Sequence, residues 1–135
     1  MTNYNSSNIK TLEFDALIIG GGGSGMRAQK ENGLALLLAP KSTEVKCPWT
    51  KEFPEVSQAL KEQGFNPSQW FVPTKEQLRL AYQNIPNEFS ATDYWSSTEF
   101  SANVTHAYFV YYNNGCTYCN KANPLRVRAF RCVTY

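Results

Sequence analysis

Hydrophobic residues in this chain come in short bursts whose spacing changes from one end to the other. Phe14 to Ile19 and Leu34 to Leu38 are compact apolar runs separated by the glycine run Gly20 to Gly25, and the second stops at Pro40. Short apolar runs bounded by Gly and Pro predict buried strands, and these two lie near enough in the chain to pair. Between Glu55 and Gln63 the apolar positions Val56, Ala59 and Leu60 share one helical face, with Pro54 at the start and Gly64 as the stop. Trp70 to Val72 predicts a brief extended piece. Thr74, with Gln77 three residues on, makes a capping box ahead of Leu78, Leu80 and Ala81, so a second helix is predicted that ends at Pro86. From Tyr94 onward the pattern is one of short strands and turns: Ala107 to Tyr112, the turn Asn113-Asn114-Gly115, then Arg126 to Val133.

Two helices followed by antiparallel strands predict an α+β domain, with two short helices packed on small antiparallel sheets, in contrast to the strand–helix alternation of a parallel sheet. Met1 to Lys10 holds three Asn and two Ser and reads as a polar arm whose order would need an external contact. The expected organisation is an N-terminal arm over residues 1–12 and one domain over residues 13–135. A length of 135 residues suits one well-buried core. Lys+Arg 13 against Asp+Glu 11 leaves a formal charge of +2, too small to argue for a nucleic-acid or anionic-membrane partner. No apolar run approaches the roughly 18 residues of a membrane-spanning helix. The N-terminus also lacks the basic start and apolar stretch of a secretory signal.

Four landmarks follow one another along the chain. They are Trp70-Phe71-Val72-Pro73-Thr74 with Glu76 and Leu78, Tyr94-Trp95-Ser96-Ser97-Thr98-Glu99, Asn114-Gly115, and Arg126-Val127-Arg128 with Arg131. Trp70 and Trp95 are large enough to centre a core, provided their indole N–H groups find acceptors. Arg126 and Arg128 alternate and so face one way, where they are expected to pair with Glu99 or Asp93 and brace the Ser96-Ser97-Thr98 loop. Together with Gly33-Leu34, Ala39-Pro40 and Trp49, the set resembles the domain family found at the C-terminus of bacterial Lcl-type adhesins and in many Bacteroidetes and phage proteins. The resemblance spans residues 33–132 and departs from the family at Phe71 and at Gln77. It implies a C-type-lectin-like fold related to formylglycine-generating-enzyme domains.

Between the landmarks lies a run of rigid aromatic and adaptable amide side chains, and His106, Tyr108, Tyr111, Tyr118, Asn120 and Asn123 are the candidate ligand-binding residues. Tyr112, Asn113 and Asn114 fall in the same stretch. The segment is similar to the variable regions that diversity-generating retroelements install on this fold, where Cys116, Tyr118, Cys119, Asn120, Asn123 and Leu125 occupy positions that are commonly Asn. The competing reading makes alternating Tyr and Val simple sheet formers packed on both faces. The resemblance implies a non-enzymatic binding or display module, a phage virion or cell-surface recognition protein contacting a host glycan or protein. Other virion or surface subunits, including copies of itself, are the further partners expected. The location expected is the virion, with the bacterial cell surface or the cytoplasm as alternatives. A purely structural virion or assembly protein is the alternative function.

Other chemistry is thinly supported. Cys116-x-x-Cys119 would need two more zinc ligands, for which only Cys47, Cys132 and His106 exist, so surface cysteines, free or locally bridged, are expected and no metal. Asn103-Val104-Thr105 fits a glycosylation acceptor, relevant only in a eukaryotic secretory pathway. Glu13 to Ala28, with Gly20 to Gly25 at its centre, resembles the dinucleotide fingerprint of succinate dehydrogenase and fumarate reductase flavoproteins, which would make FAD or another nucleotide a ligand. Asn32-Gly33 interrupts the helix that motif needs, and no acidic residue follows Leu38, so a glycine-rich connection without cofactor is expected instead. The single histidine, His106, has no triad partners in view, and catalysis is not expected.

Overall fold

The computed structural model of this protein describes residues 16–19, 34–111 and 115–134; the polar arm, the glycine run Gly20 to Gly25 and the residues Tyr112 to Asn114 lie outside the described residues. In chain order the elements are β1 (Ala16–Ile19), β2 (Leu34–Leu38), β3 (Val45–Cys47), α1 (Pro54–Glu62), α2 (Lys75–Asn84), β4 (Tyr94–Glu99), β5 (His106–Tyr111), β6 (Gly115–Asn120), β7 (Leu125–Val127) and β8 (Phe130–Thr134). β1 pairs antiparallel with β2, as their spacing predicted, and β2 with β8, giving a three-stranded sheet of order β1-β2-β8. The other strands form a five-stranded sheet of order β3-β7-β4-β5-β6. The architecture is α+β, two helices with two small sheets. One correction applies to the sheets: β4 and β7 meet in parallel, at Tyr94 and Arg126. β7 follows β6 in the chain but lies beyond β5 and β4 from it, so the chain crosses the sheet instead of turning back as a hairpin.

β4 is the pivot of the packing. Its neighbours Tyr94 and Trp95 point to opposite faces of the strand, and both are fully buried, at 0% exposure. Each therefore seeds a core of its own. Trp95 packs with Trp49, Phe53, Trp70, Val127 and the α1 residues Val56 and Leu60. Tyr94 packs with Leu36, Leu38, Phe89, Val110, Phe130 and the α2 residues Leu78, Ala81 and Tyr82. Burying one such large apolar side chain stabilises the fold by about 1.5–3 kcal/mol. The acceptor expected for Trp95 is present, its Nε1 donating to the Cys47 carbonyl at 2.9 Å, and Trp49 Nε1 donates to the Ser96 carbonyl at 2.8 Å. Both bonds tie β4 to the segment before α1.

The helices start as their sequences dictate. The capping box of α2 is complete, with the Gln77 N–H donating to Thr74 Oγ1 at 3.1 Å and the Thr74 N–H donating to Gln77 Oε1 at 2.9 Å. In α1, Pro54 occupies the first turn, and Phe53 before it adopts φ 46°, ψ 59°. That left-handed conformation costs a non-glycine residue roughly 1–2 kcal/mol. Burial of the Phe53 ring, edge-on to Trp49 at 5.5 Å, holds it there.

The expected single strand from Arg126 to Val133 is two strands in two different sheets, broken at Arg128 and Ala129. The break has a physical cause. The Arg128 side chain is wholly buried, and its Nε donates to the Ala39 carbonyl at 2.6 Å. Its Nη1 donates to Glu44 Oε2 at 3.0 Å and to the Glu88 carbonyl at 2.9 Å. Glu44, with its side chain 4% exposed, also accepts from the Tyr94 hydroxyl at 2.7 Å and lies 3.5 Å from Arg126 Nη1. Arg126 and Arg128 do converge, but on Glu44. Of the partners expected for them, Glu99 pairs with Lys121 at 2.9 Å, and Asp93 contributes only its carbonyl, to the Arg126 N–H at 3.2 Å. Nor do the arginines brace Ser96-Ser97-Thr98 as a loop. That segment is part of β4, held by Ser96 Oγ donating to the Tyr108 carbonyl at 2.7 Å and Thr98 Oγ1 accepting from the Lys75 N–H at 3.0 Å.

Glu44→Gln leaves the Arg128 charge buried without its carboxylate, so urea denaturation of this variant is expected to show a loss of about 3–5 kcal/mol. Glu99→Gln, at an exposed ion pair, is expected to leave the midpoint close to that of the parent. A second expectation concerns alkaline pH. Burial, aided by nearby Glu55, pushes the Cys47 thiol up to about 12, and burial raises the hydroxyls of Tyr82 and Tyr94 as well. The native state therefore keeps protons that the unfolded chain gives up, and stability falls as pH rises from about 9 toward 12. Urea titrations between pH 7 and 11 are expected to show this decline. Ellman's reagent is expected to label exposed Cys132 in the native protein and Cys47 only after unfolding.

Candidate ligand-binding face

The hairpin of β5 and β6 sorts the candidate residues by parity. Its register pairs His106 with Asn120, Tyr108 with Tyr118 and Val110 with Cys116 on one face. Ala107 with Cys119, Phe109 with Thr117 and Tyr111 with Gly115 lie on the other. The first face is the α2 side, where Val110 and Cys116 pack with Leu78 and the Lys75 Nζ lies 3.8 Å from the centre of the Tyr108 ring. His106, Tyr108, Tyr118 and Asn120 are thus brought together. Tyr111 is not: its ring lies over Gly115, where a Cβ would collide with it, and tilts against Phe109 at 6.0 Å. Asn123 sits in the turn after β6, and its Nδ2 donates to the Asn120 carbonyl at 3.1 Å. Tyr111 thus lies on the face opposite Tyr108 and Tyr118.

The centre of the face is a stack of aromatic rings. Phe100, the residue after β4, lies parallel to Tyr118 at 3.8 Å and 10°. Tyr108 meets both edge-on, at 5.7 Å from Phe100 and 5.9 Å from Tyr118, and His106 lies 6.0 Å from Tyr118. Offset-stacked and edge-on pairs add about 0.5–1.5 kcal/mol each beyond burial, so the rings hold one another in fixed positions. Tyr118 nevertheless remains 45% exposed. Phe100 and Lys75 were not among the candidates read from the sequence. Phe100 carries a signal, an aromatic side chain placed directly after the polar strand end Thr98-Glu99; Lys75 carries none beyond its place in the first turn of α2.

Beside the stack a hydrogen-bonded chain fixes the state of His106. Asn103 Oδ1 accepts from the Thr105 N–H at 3.0 Å and from the Thr105 hydroxyl at 2.7 Å. With its proton committed to Asn103, Thr105 Oγ1 can only accept from His106 Nδ1, 2.8 Å away. The neutral imidazole therefore carries its proton on Nδ1 and keeps Nε2 as an acceptor. On the other side, Asn120 Oδ1 accepts from the Ala122 N–H at 2.8 Å. Lys121 anchors the loops by donating to Glu99 Oε2 at 2.9 Å and to the Val104 carbonyl at 2.7 Å, with its ammonium 4.4 Å from the Trp49 ring.

The cysteine pair is corrected in placement. Cys116 and Cys119 fall on opposite faces of β6, both half-buried rather than on the surface, so they cannot bridge each other. Burial raises both thiols. Among the described residues no group of three His, Cys, Asp or Glu side chains is placed to hold a metal ion, and no helix is long and apolar enough to cross a membrane. The strands flanking the glycine run, β1 and β2, pair antiparallel, whereas a dinucleotide fingerprint sits between parallel strands. No protein-family model and no curated protein matches this chain.

The tautomer argument is open to measurement. Two-dimensional spectra of the imidazole nitrogens at a pH where the ring is neutral are expected to show the proton on Nδ1 of His106. In Thr105→Val, which removes the acceptor, the ring is expected to shift toward the Nε2–H form. A parent spectrum dominated by Nε2–H would contradict the hydrogen-bonded chain.

Proposed function

We propose that this protein is a non-enzymatic recognition module of C-type-lectin-like type, a virion or cell-surface component that contacts a host glycan or protein through the α2-side face of its β5–β6 hairpin. The observation that carries the reading is the half-exposed ring stack of Phe100, Tyr108 and Tyr118, whose rings pack on one another without a ligand. Pre-ordered aromatics bind with little further loss of side-chain entropy. Around them stand the groups that recognition of sugar hydroxyls or peptide amides needs. His106 Nε2 is an acceptor, the Asn120 amide lies across from it, and the Lys75 ammonium supplies a donor and a positive charge. The proposed contact set is Phe100, His106, Tyr108, Tyr118, Asn120 and Lys75; Tyr111 lies on the other face, and Asn123 supports the turn.

The fold assignment rests on the order of landmarks that suggested the resemblance and on what those residues do. Trp49 and Trp95 lock β4 to the segment before α1, Thr74 caps α2, and Arg128 ties the ends of both sheets. The glycine run as a flavin site gains no support, given the antiparallel β1 and β2.

The test is direct binding. Labelled protein is expected to bind some members of a panel of bacterial cells, and Tyr108→Ala/Tyr118→Ala to lose at least about tenfold in affinity, or 1.4 kcal/mol. Tyr111→Ala, on the opposite face, is expected to bind as the parent does. Glycosidase or protease treatment of the cells then separates a glycan from a protein receptor. Equal binding by the folded double variant sinks the face; no binding to any cell moves the reading to a structural assembly role.

A further inference from the structure

β6 ends the five-stranded sheet among the described residues. Which of its backbone groups are engaged follows from ladder parity. The Lys121 N–H donates to the Thr105 carbonyl at 2.8 Å, in register with the pairing of His106 and Asn120. Hydrogen-bonded and non-hydrogen-bonded positions alternate along an antiparallel pair. Gly115, Thr117 and Cys119 therefore direct their N–H and C=O groups to β5, while Cys116 and Tyr118 direct theirs away from the sheet. The other side of β5 obeys the same parity: the His106 carbonyl accepts from the Phe100 N–H at 3.1 Å and the Tyr108 carbonyl from Ser96 Oγ at 2.7 Å. Asn120 is the next outward position, but its carbonyl already accepts from the Asn123 N–H and Nδ2, each at 3.1 Å.

Sheet ends are usually protected by charge, proline, a bulge or brevity. The opposite end, β3, is three residues long and carries exposed Lys46. β6 has none of these devices. It is six residues long, Gly-Cys-Thr-Tyr-Cys-Asn, with no charge or proline and an unbroken register against β5. The first charge beyond it, Lys121, is held by Glu99. A strand that pairs with its own copy must carry no charge that would face itself, and this one meets that condition.

We propose that β6 pairs antiparallel with β6 of a second copy of this chain, about a two-fold axis at Thr117, joining the two five-stranded sheets into one. In this register Cys116 exchanges both backbone hydrogen bonds with Tyr118 of the second copy, and Tyr118 with its Cys116. A register centred on Tyr118 would instead aim a donor at the Asn120 carbonyl that Asn123 caps. Thr117 of each copy meets the other at a non-hydrogen-bonded position, where side chains approach most closely and threonines form favourable cross-strand pairs. The contact is isologous and closes as a dimer. Thr117 is exposed and lies on the face opposite Tyr118, so two recognition faces are presented side by side. Pairing at the edge stands whether or not those faces bind cells.

Three measurements on the full chain decide the matter. Sedimentation over a concentration series is expected to show a monomer–dimer equilibrium, and Thr117→Lys to abolish it while the circular dichroism stays that of the parent. Amide exchange at Cys116 and Tyr118 is expected to slow at least about tenfold as the dimer fills, with Thr117 and Cys119 protected at every concentration. Thr117→Cys in a Cys132→Ser background is expected to cross-link to itself on mild oxidation, since opposed non-hydrogen-bonded positions lie about 4.5 Å apart between Cα atoms. A monomer at every concentration overturns the proposal, as does a dimer that survives Thr117→Lys or exchanges freely at Cys116 and Tyr118. So does edge protection that appears only when a foreign protein is added.

Discussion

Arg128 and Glu44 form the contact on which the rest of the structure depends. The arginine sits where the chain leaves the five-stranded sheet at β7 and enters the three-stranded sheet at β8, and it is buried as a charge. A buried guanidinium is tolerated only when carboxylate and carbonyl oxygens surround it. Here they come from Ala39 after β2, from Glu44 before β3 and from Glu88 ahead of β4. Two segments far apart in sequence, the stretch from Ala39 to Glu44 and the one at Glu88, must converge on Arg128 for its side chain to be satisfied. Tyr94 joins the same carboxylate and brings in the central strand. Such a pair adds little net stability, but its demand for partners penalises every packing in which the sheets are misplaced.

From that junction the division of labour follows. Tyr94 and Trp95 split β4 between two cores, so both faces of the sheet's centre are filled and the β5–β6 end presents side chains. Even there the Lys75 ammonium lies over the Tyr108 ring on the α2 face. Tyr118 and its neighbours therefore stand on a supported surface, with the ring stack resting on a hairpin whose β5 strand is paired on both sides. Loops supply Phe100 and the Asn103–Thr105 turn, and both are tied back, one by stacking and the other through Lys121. The packing of this face follows from its position in the sheet, and the proposed recognition role rests on that packing.

Much of the local structure was legible in the sequence because its causes are local. The capping box at Thr74 and Gln77, the proline start of α1 and the apolar runs of β1 and β2 depend on residues within a few positions of each other. Less of the candidate face was legible. His106, Tyr108, Tyr118 and Asn120 were recognisable by type, and period-two alternation was enough to separate Tyr111 from them once the strand's limits were known. Phe100 left a faint signal, but the limits of Asn123's role and the place of Lys75 were not accessible, since they depend on how a loop and a helix pack against the hairpin.

The sequence by itself determined the class of fold, the two helices and the need of its large aromatics for buried acceptors, because propensity, capping and hydrophobic spacing act over short distances. Tertiary structure alone decided that Glu44 and not Glu99 or Asp93 answers the arginines, that the last strand is cut in two, and that Cys116 and Cys119 face apart. Each of those outcomes turns on which distant groups must share a buried charge or a sheet register, and desolvation enforces that choice only when the whole chain has closed around it.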